Sequence, residues 1–488
     1  MESIWSKTCE IPKRLPLDSD IEADVAVIGG GMAGILTAYQ LECAGVRTVV
    51  LEAGQIGGGQ TRNTTAKITS QHGMFCHDFI EKKGRDAAGQ YVRANQAAVE
   101  EYKRIVEEER IDCDLEEKDS YVYSRDEKKL KDEAEAAAEL GIEASFEPCI
   151  EIPVSCSGAV RFARQAQFHP LKFIRALAEK LTIYEDTPVK EVGEHTVKTP
   201  CGSVRAEKIV FATHYPFVNF PGMYFTRMHQ ERSYVLALED TEPINGMYIG
   251  DGKDTLSFRQ FDRYLLFGGE GHRTGENKEG GKYEGGSYAG LREAAGKLYP
   301  QSREAAFWSA QDCITADNVP FIGRYASDRP DWFVATGFQK WGMTSSMVSA
   351  MIIRDMICGT ENPWAEVFSP SRFSAEEIPQ IMKDSGKAVK GLTKRFFHIP
   401  DETSARLAPG HGAVVETESG KAGAYKTEDQ KIYKVDIVCP HLGCELVWNP
   451  DEKTWDCPCH GSRFDYKGNL IEGPAQEGIT DSDGQSGI

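Results

Sequence analysis

Two short loops near the end of the chain carry residue types that bind metal. Cys439-Pro440-His441 and Cys457-Pro458-Cys459-His460 read C-x-H, fifteen intervening residues, then C-x-x-H. Each loop supplies one thiolate and one imidazole. A [2Fe–2S] cluster uses such a set with Cys439 and Cys457 on one iron and His441 and His460 on the other. A structural zinc site also takes two Cys and two His, but zinc-finger spacings usually pair Cys with Cys and His with His. Two further cysteines, Cys444 and Cys459, occupy the same loops and could be joined by a disulfide, for which a zinc site has no need.

A second constellation lies near the start. Gly29-Gly30-Gly31-Met32-Ala33-Gly34 is G-x-G-x-x-G between an apolar run, Asp24 to Ile28, and a helical stretch from Met32 to Cys43. Gly29 permits the tight turn, Gly31 lets the backbone approach a pyrophosphate, and Gly34 lets the helix pack close to the sheet. The helix N-terminus offers free N–H groups to phosphates. Glu52 ends the next apolar strand, where an acid can accept both ribose hydroxyls. This is a dinucleotide site.

The elements that must position these residues follow from the pattern. The first ~55 residues form a β-α-β unit. Residues Arg227 to Phe267 alternate and are rich in aromatic and branched side chains, the mark of antiparallel strands in a second sheet. Trp332 to Thr336 reads as another buried strand before a Gly-rich turn and the helix Thr344 to Ile357. Glu376 to Phe397 reads as a helical, net basic connector; a membrane-surface helix is the rarer alternative. Beyond Pro400, short strands between Gly, Pro and Asp turns indicate a small all-β domain. The expected division is 20–370 for an oxidoreductase unit, 374–400 for a helical linker and 401–480 for the metal domain. Within the first unit, about 20–85, 155–220 and 300–370 are assigned to cofactor binding, and about 86–154 and 221–299 to substrate.

The glycine fingerprint, the acid, Arg62-Asn63, an apolar strand ending in Ala212-Thr213, the block Asp317-Asn318-Val319-Pro320-Phe321-Ile322-Gly323 and the turn Gly337 to Met343 occur in the order of a known family. The chain from about Asp24 to Cys358 resembles the D-amino-acid oxidase-like FAD enzymes, which include glycine oxidase and sarcosine oxidase. That resemblance implies an α/β Rossmann-like FAD-binding domain with a mixed, largely antiparallel substrate sheet. It also implies FAD contacts at Gly29, Gly31, Gly34, Glu52, Arg62, Asn63, Thr65, Val189, Ala212, Thr213, Gly337, Gly342 and Met343. In that family the last turn and helix N-terminus face the flavin's pyrimidine edge, where a positive helix end stabilises negative charge. Some relatives attach flavin to a Cys at the position that is Ala310 here, so non-covalent FAD is expected, with His72 as the residue to check. Arg259 is a candidate clamp for a substrate carboxylate, against the plainer reading of a salt-bridged Arg. Lys340 could polarise the flavin or activate oxygen, against the reading of a solvated lysine. His229, Arg232 and Tyr234 are further substrate-contact candidates.

The segments CPHLGC and CPCHGSRFD resemble the Rieske proteins of cytochrome bc-type complexes over roughly residues 405 to 475. The resemblance implies that Cys444 and Cys459 form the loop-bridging disulfide and that Gly473-Pro474-Ala475 is the proline loop covering the cluster. Ser462 would donate a hydrogen bond to a bridging sulfide. Phe464 replaces a tyrosine donor, which should lower the potential relative to the respiratory proteins. The polar tail after Ala475 shows no closing strand.

Composition narrows the classes. The 488 residues carry 56 Lys and Arg against 75 Asp and Glu, a net charge of −19. So acidic a chain has no electrostatic footprint for nucleic acid. No apolar run approaches the ~20 residues of a membrane span, and the start shows no secretion signal. The scattered cysteines among the 13 fit a reducing compartment, so a cytoplasmic protein is expected. The combination implies an oxidoreductase in which a small amine or amino acid gives hydride to FAD and the cluster passes electrons singly to an unidentified protein or quinone. Flow in the reverse direction is the same chemistry. An NAD(P)H-dependent reductase lacks a convincing second nucleotide motif, because Gly268 to Gly275 runs into a poor helix. A redox relay or sensor without turnover is the alternative from another class. An oxygenase would need a mononuclear iron site, and 28 residues after His460 leave no room for one.

Overall fold

The computed structural model describes residues 1–480 except 253–254, 277–285, 418–419 and, apart from positions 378, 382 and 386, 373–406. The connector expected at 374–400, and with it the membrane-surface alternative, lies outside the described residues.

The strand Ile21–Ile28 is flanked in parallel by Thr48–Leu51 and Ser203–Phe211, and the latter by Arg329–Thr336. These strands are apolar on both faces because helices cover one side and a second small core the other; Val25, Ala26, Val27 and Ile28 are all buried. The helices Met32–Cys43 and Gly342–Cys358 pack on each other beneath this sheet. Their small residues, Ala33, Gly34 and Ala38 on one and Ser345, Ser346, Ser349 and Ala350 on the other, are all buried. The eight-stranded sheet is closed on one edge by the antiparallel strand Phe321–Ala326.

A nine-stranded mixed sheet runs in the order Arg303–Thr315, Met228–Glu239, Tyr264–Arg273, Ser257–Phe261, Met247–Gly250, Glu116–Ser124, Gly158–Gln167 and Lys67–Ile68, with Ala144–Glu147 alongside. All its pairs are antiparallel save Met247–Gly250 with Glu116–Ser124. The strands Gly158–Gln167 and Arg303–Thr315 fall in ranges read from the sequence as cofactor-binding, yet they pair in this second sheet. Contiguous ranges miss this because consecutive strands cross from one sheet to the other. The long helix Arg85–Glu109, read with the substrate part, packs on Gly342–Cys358 in the core under the first sheet.

The C-terminal domain is all β: a three-stranded sheet from Gly412 to Val435 and a four-stranded one from Val447 to Glu472. The polar tail adds no strand among the described residues; Thr480 instead makes a single antiparallel bridge to Val435.

Candidate functional site

The glycine turn takes the form its residues require. Gly29 has φ +110°, and a Cβ there would meet the Ala212 carbonyl oxygen at 2.5 Å. A Cβ on Gly34 would lie 1.8 Å from the Gly29 oxygen, so helix and turn are in direct contact. Gly31 precedes the helix with no side-chain cap, and a Cβ on it would meet nothing closer than Thr61 Oγ1 at 3.4 Å. Glu52 is fixed by backbone donors: Gly30 N–H at 2.6 Å and Gly54 N–H at 2.8 Å. Burial raises this carboxyl, against the pull of those N–H groups. A glycine-rich helix N-terminus, its Met32 N–H held by Thr61 Oγ1 at 2.9 Å, beside a braced acid fits the pyrophosphate and ribose of FAD.

A cavity of about 710 Å³ opens against the second sheet. Asn63, Thr65, Lys340, Gly342 and Met343 all line it, so segments far apart in sequence converge where a flavin ring would lie. Asn63 also fixes the wall, its carbonyl accepting from Trp308 Nε1 at 2.9 Å. Thr213 and Ala212 close the end of the third parallel strand, and Gly337 has φ +71° with Thr315 where a Cβ would go. Val189 is buried in the small core beside the first sheet, and Arg62 is exposed on a short helical turn. Ala310 lines the cavity. His72 is instead tied into the fold, with Nδ1 2.6 Å from the Tyr91 hydroxyl and its ring stacked on Trp341 at 4.8 Å.

Arg259 is not a substrate clamp. Its guanidinium is fully buried and donates to Gln167 Oε1 (3.0 Å), the Phe168 carbonyl (2.8 Å) and the Thr65 carbonyl. Arg259 shares its strand face with the cavity-lining Ser257, but its guanidinium is sealed into the packing beside Trp5 with its donors taken up. Arg232 likewise faces away from the cavity. Lys340 lines it, pairing with Glu231 at 3.2 Å. His229 and Tyr234 line it too, the Tyr234 hydroxyl lying 2.8 Å from His272 Nε2.

Two cavity residues escaped the sequence reading. Lys67 donates to Ser257 Oγ at 2.6 Å, and burial pulls its ammonium down to about 7. Asp312 faces Glu231 across the strand pair, and burial pushes its carboxyl up to about 7 although Lys340 pulls the other way. Glu231 is held down to about 2 by His229 and Lys340. A lysine two residues beyond Thr65 carried a signal; nothing in the local sequence marks Asp312.

The four metal-ligand candidates come together in the C-terminal domain. The His441 and His460 rings lie edge to face, 4.9 Å apart. Both Nδ1 atoms are buried without a hydrogen-bond partner, as nitrogens awaiting a metal would be. Burial holds both imidazoles neutral, at about 4 and about 3. Cys439 and Cys457 are buried free thiols that hydrogen-bond each other, which draws Cys439 down to about 7 and pushes Cys457 up. Cys444 and Cys459 form the disulfide that joins the loops, with Cα atoms 6.6 Å apart. Cys457 Sγ lies within 4.8 Å of both disulfide sulfurs. Bonded to each other, these two have no thiolate to offer. Ser462 Oγ accepts from the Ala475 N–H at 3.0 Å and so ties down the proline loop, and Phe464 is fully buried. Two thiols and two orphaned imidazole nitrogens fit a cluster with one sulfur-ligated and one nitrogen-ligated iron.

The two centres share a wall. In the strand Met228–Glu239, His229, Glu231 and Ser233 line the cavity, while Gln230 and Arg232 reach the C-terminal domain. Its neighbour Arg303–Thr315 repeats the pattern, with Ala310 and Asp312 on the cavity side and Ser309 and Gln311 on the other. Gln230 donates to the His460 carbonyl at 2.6 Å and Gln311 to the Gly461 carbonyl at 2.9 Å. Arg232 is buried against Glu452 at 2.5 Å, and Arg463 completes the cluster at 2.7 Å. A single sheet separates cavity from metal domain.

Comparison with known proteins agrees with this anatomy. The FAD dependent oxidoreductase family matches residues 24–356 and the Rieske [2Fe-2S] domain residues 399–482. The chain is 38% identical over 492 residues to YhfW of Bacillus subtilis, described as a Rieske 2Fe-2S iron-sulfur protein, covering 97% of this chain and 96% of that one. The fold is similar to glycine oxidase from Geobacillus kaustophilus (TM-score 0.61, 19% identity, 72% of this chain and 100% of that one). It is equally similar to L-proline dehydrogenase from P. horikoshii (TM-score 0.61, 21% identity, 74% and 98%). The chain belongs to the FAD-dependent oxidoreductase family and carries a C-terminal Rieske domain, so its cofactors are FAD and a [2Fe–2S] cluster. Among the described residues no helix is long and apolar enough to cross a membrane.

Proposed function

We propose that this oxidoreductase removes hydride from the carbon beside the nitrogen of a small amine or amino acid and sends the electrons singly through its Rieske centre to an external one-electron acceptor. The observation that carries the proposal is the shared wall: a substrate-sized cavity and the metal domain lie on opposite faces of the same two strands. When bound, FAD supplies the two-electron acceptor and the cluster the one-electron carrier.

The chain's own groups handle charge and protons. An amine reaches neutral solution mostly as its ammonium form, and hydride can leave only after that nitrogen has lost a proton. Asp312, with a carboxyl near 7, is matched to take it. Glu231 stays ionised beside it and attracts the incoming cation. Lys340, at the turn before the helix Gly342–Cys358, holds a positive charge over the region where negative charge develops and is positioned to meet a substrate carboxylate. The imine product then hydrolyses in water.

Anaerobic visible spectra and EPR of the purified protein, mixed in turn with NADH, NADPH and a panel of N-methyl and free amino acids, test the proposal. Bleaching of the flavin by one amine, followed by growth of a Rieske-type EPR signal, is the expected result. Reduction by a pyridine nucleotide alone, or by nothing in the panel, would overturn it.

A further inference from the structure

One contact between the two domains falls on a metal ligand itself. Asn219, in the oxidoreductase unit, places Oδ1 2.9 Å from His441 Nε2. An amide oxygen only accepts, so Nε2 carries the imidazole proton. Nδ1 is left as a bare lone pair, and it is this atom that is buried without a partner. The same loop reaches the second imidazole: the Phe225 ring lies edge to face with His460 at 5.8 Å, and the Phe225 carbonyl hydrogen-bonds His460.

The loop is not free to drift. Met223 N–H donates to the Asn219 carbonyl at 2.9 Å, and the buried Tyr224 donates its hydroxyl to the Tyr325 carbonyl at 2.7 Å. Two residues past Phe225 the guanidinium of Arg227 donates to the carbonyls of Pro370 and Arg372, each at 2.7 Å. Beyond that the chain enters the wall strand, whose Gln230 holds the His460 carbonyl. The histidine edge of the metal centre is therefore gripped by the oxidoreductase unit at both imidazoles.

We propose that Asn219 is a positioning residue for the iron–sulfur cluster: by accepting a hydrogen bond from the Nε2–H of His441 it presets Nδ1 as ligand, and it fixes the imidazole edge as the contact through which single electrons pass between the two domains. The proposal rests on the reading that the two centres exchange electrons. In each transfer one electron leaves the cavity side and reduces a ferric ion to ferrous, with no bond made or broken. The second follows once an external one-electron acceptor has reoxidised the iron. A partner that removes outer acceptors from a ligating imidazole changes both its orientation and its basicity.

The experiment uses the holoenzyme with Asn219→Asp and Asn219→Leu and needs no substrate. Mediator titration followed by EPR gives the cluster potential, and flash photoreduction of the flavin gives the rate at which the cluster is then reduced. A carboxylate acceptor makes His441 more imidazolate-like and favours ferric iron, so Asn219→Asp is expected to lower the potential. Asn219→Leu removes the acceptor and is expected to raise it, with altered g-values and a transfer at least about tenfold slower. Should Asn219→Leu fail to hold its cluster, the near-isosteric Asp variant decides. Potentials, g-values and transfer rates equal to wild type in both variants, or an unchanged potential in the Asp variant alone if only it assembles, would overturn the proposal. Because the flash supplies the electrons, a failure of the amine-oxidation reading leaves these measurements standing. Cluster reduction that never follows flavin photoreduction in the wild-type protein would instead sink the electron-exchange premise.

Discussion

Replacing Glu452 by glutamine keeps the shape of the domain junction and deletes one charge from its centre. The Glu452 side chain is 3% exposed and meets Arg232 at 2.5 Å and Arg463 at 2.7 Å, themselves 1% and 4% exposed. In the variant the two guanidiniums remain buried, and their acidic partners among the described residues are Glu472, at 3.6 and 3.5 Å, and Asp456 beside Arg463 at 3.1 Å. Removing one partner of a buried pair typically costs about 3–5 kcal/mol. The two remaining acids compensate in part and place this case near 3 kcal/mol, which is about a hundredfold in an equilibrium constant. Urea unfolding followed by flavin fluorescence and by the visible circular dichroism of the cluster should show both transitions at lower denaturant. Arg232→Met combined with Glu452→Leu should lose less than the two single changes together, because the pair leaves as a unit. A loss below about 1 kcal/mol in Glu452→Gln would show that the network is not what joins the domains.

Three further substitutions test the geometry. Asp312→Asn should slow anaerobic flavin reduction by an amine at least about a hundredfold and abolish a rise in rate with pH centred near 7, read by stopped flow. The same raised carboxyl stabilises the native state at low pH and loses that contribution as pH climbs from about 4 through about 7, so the variant's stability should fall less over that window. Gly34→Ala forces a methyl onto the Gly29 carbonyl at 1.8 Å, so the protein should purify with less than half the flavin absorbance per chain. Cys444→Ser opens a disulfide spanning 15 residues and should cost about 3 kcal/mol, seen as earlier thermal bleaching of the cluster.

What could be read in the sequence was what a few neighbouring residues decide. The glycine turn and the two metal-binding loops are local: spacing alone fixes which backbone or side-chain groups meet, and Gly34 or Cys457 means the same in any surrounding. Arg259 shows the limit. Its type suits a carboxylate, but Gln167 and the Phe168 carbonyl, packed with it beside Trp5, take up its donors. Asp312 and Lys67 became chemically interesting only through burial, which the far side of the cavity supplies. The Arg232–Glu452 and Asn219–His441 contacts join residues more than two hundred positions apart, and no window of sequence contains both partners.

The two-strand wall has a genetic consequence. Side chains on a strand alternate with a period of two, so from His229 to Ser233 each residue serves either the cavity or the metal domain and none serves both. Substitutions can therefore retune one partner while leaving the other untouched, position by position. A single inserted or deleted codon has the opposite effect, exchanging the two sets at once. It would turn Glu231 toward the iron–sulfur domain and Arg232 into the cavity. Within these strands the reading frame of the sheet is constrained far more tightly than the identity of any one residue.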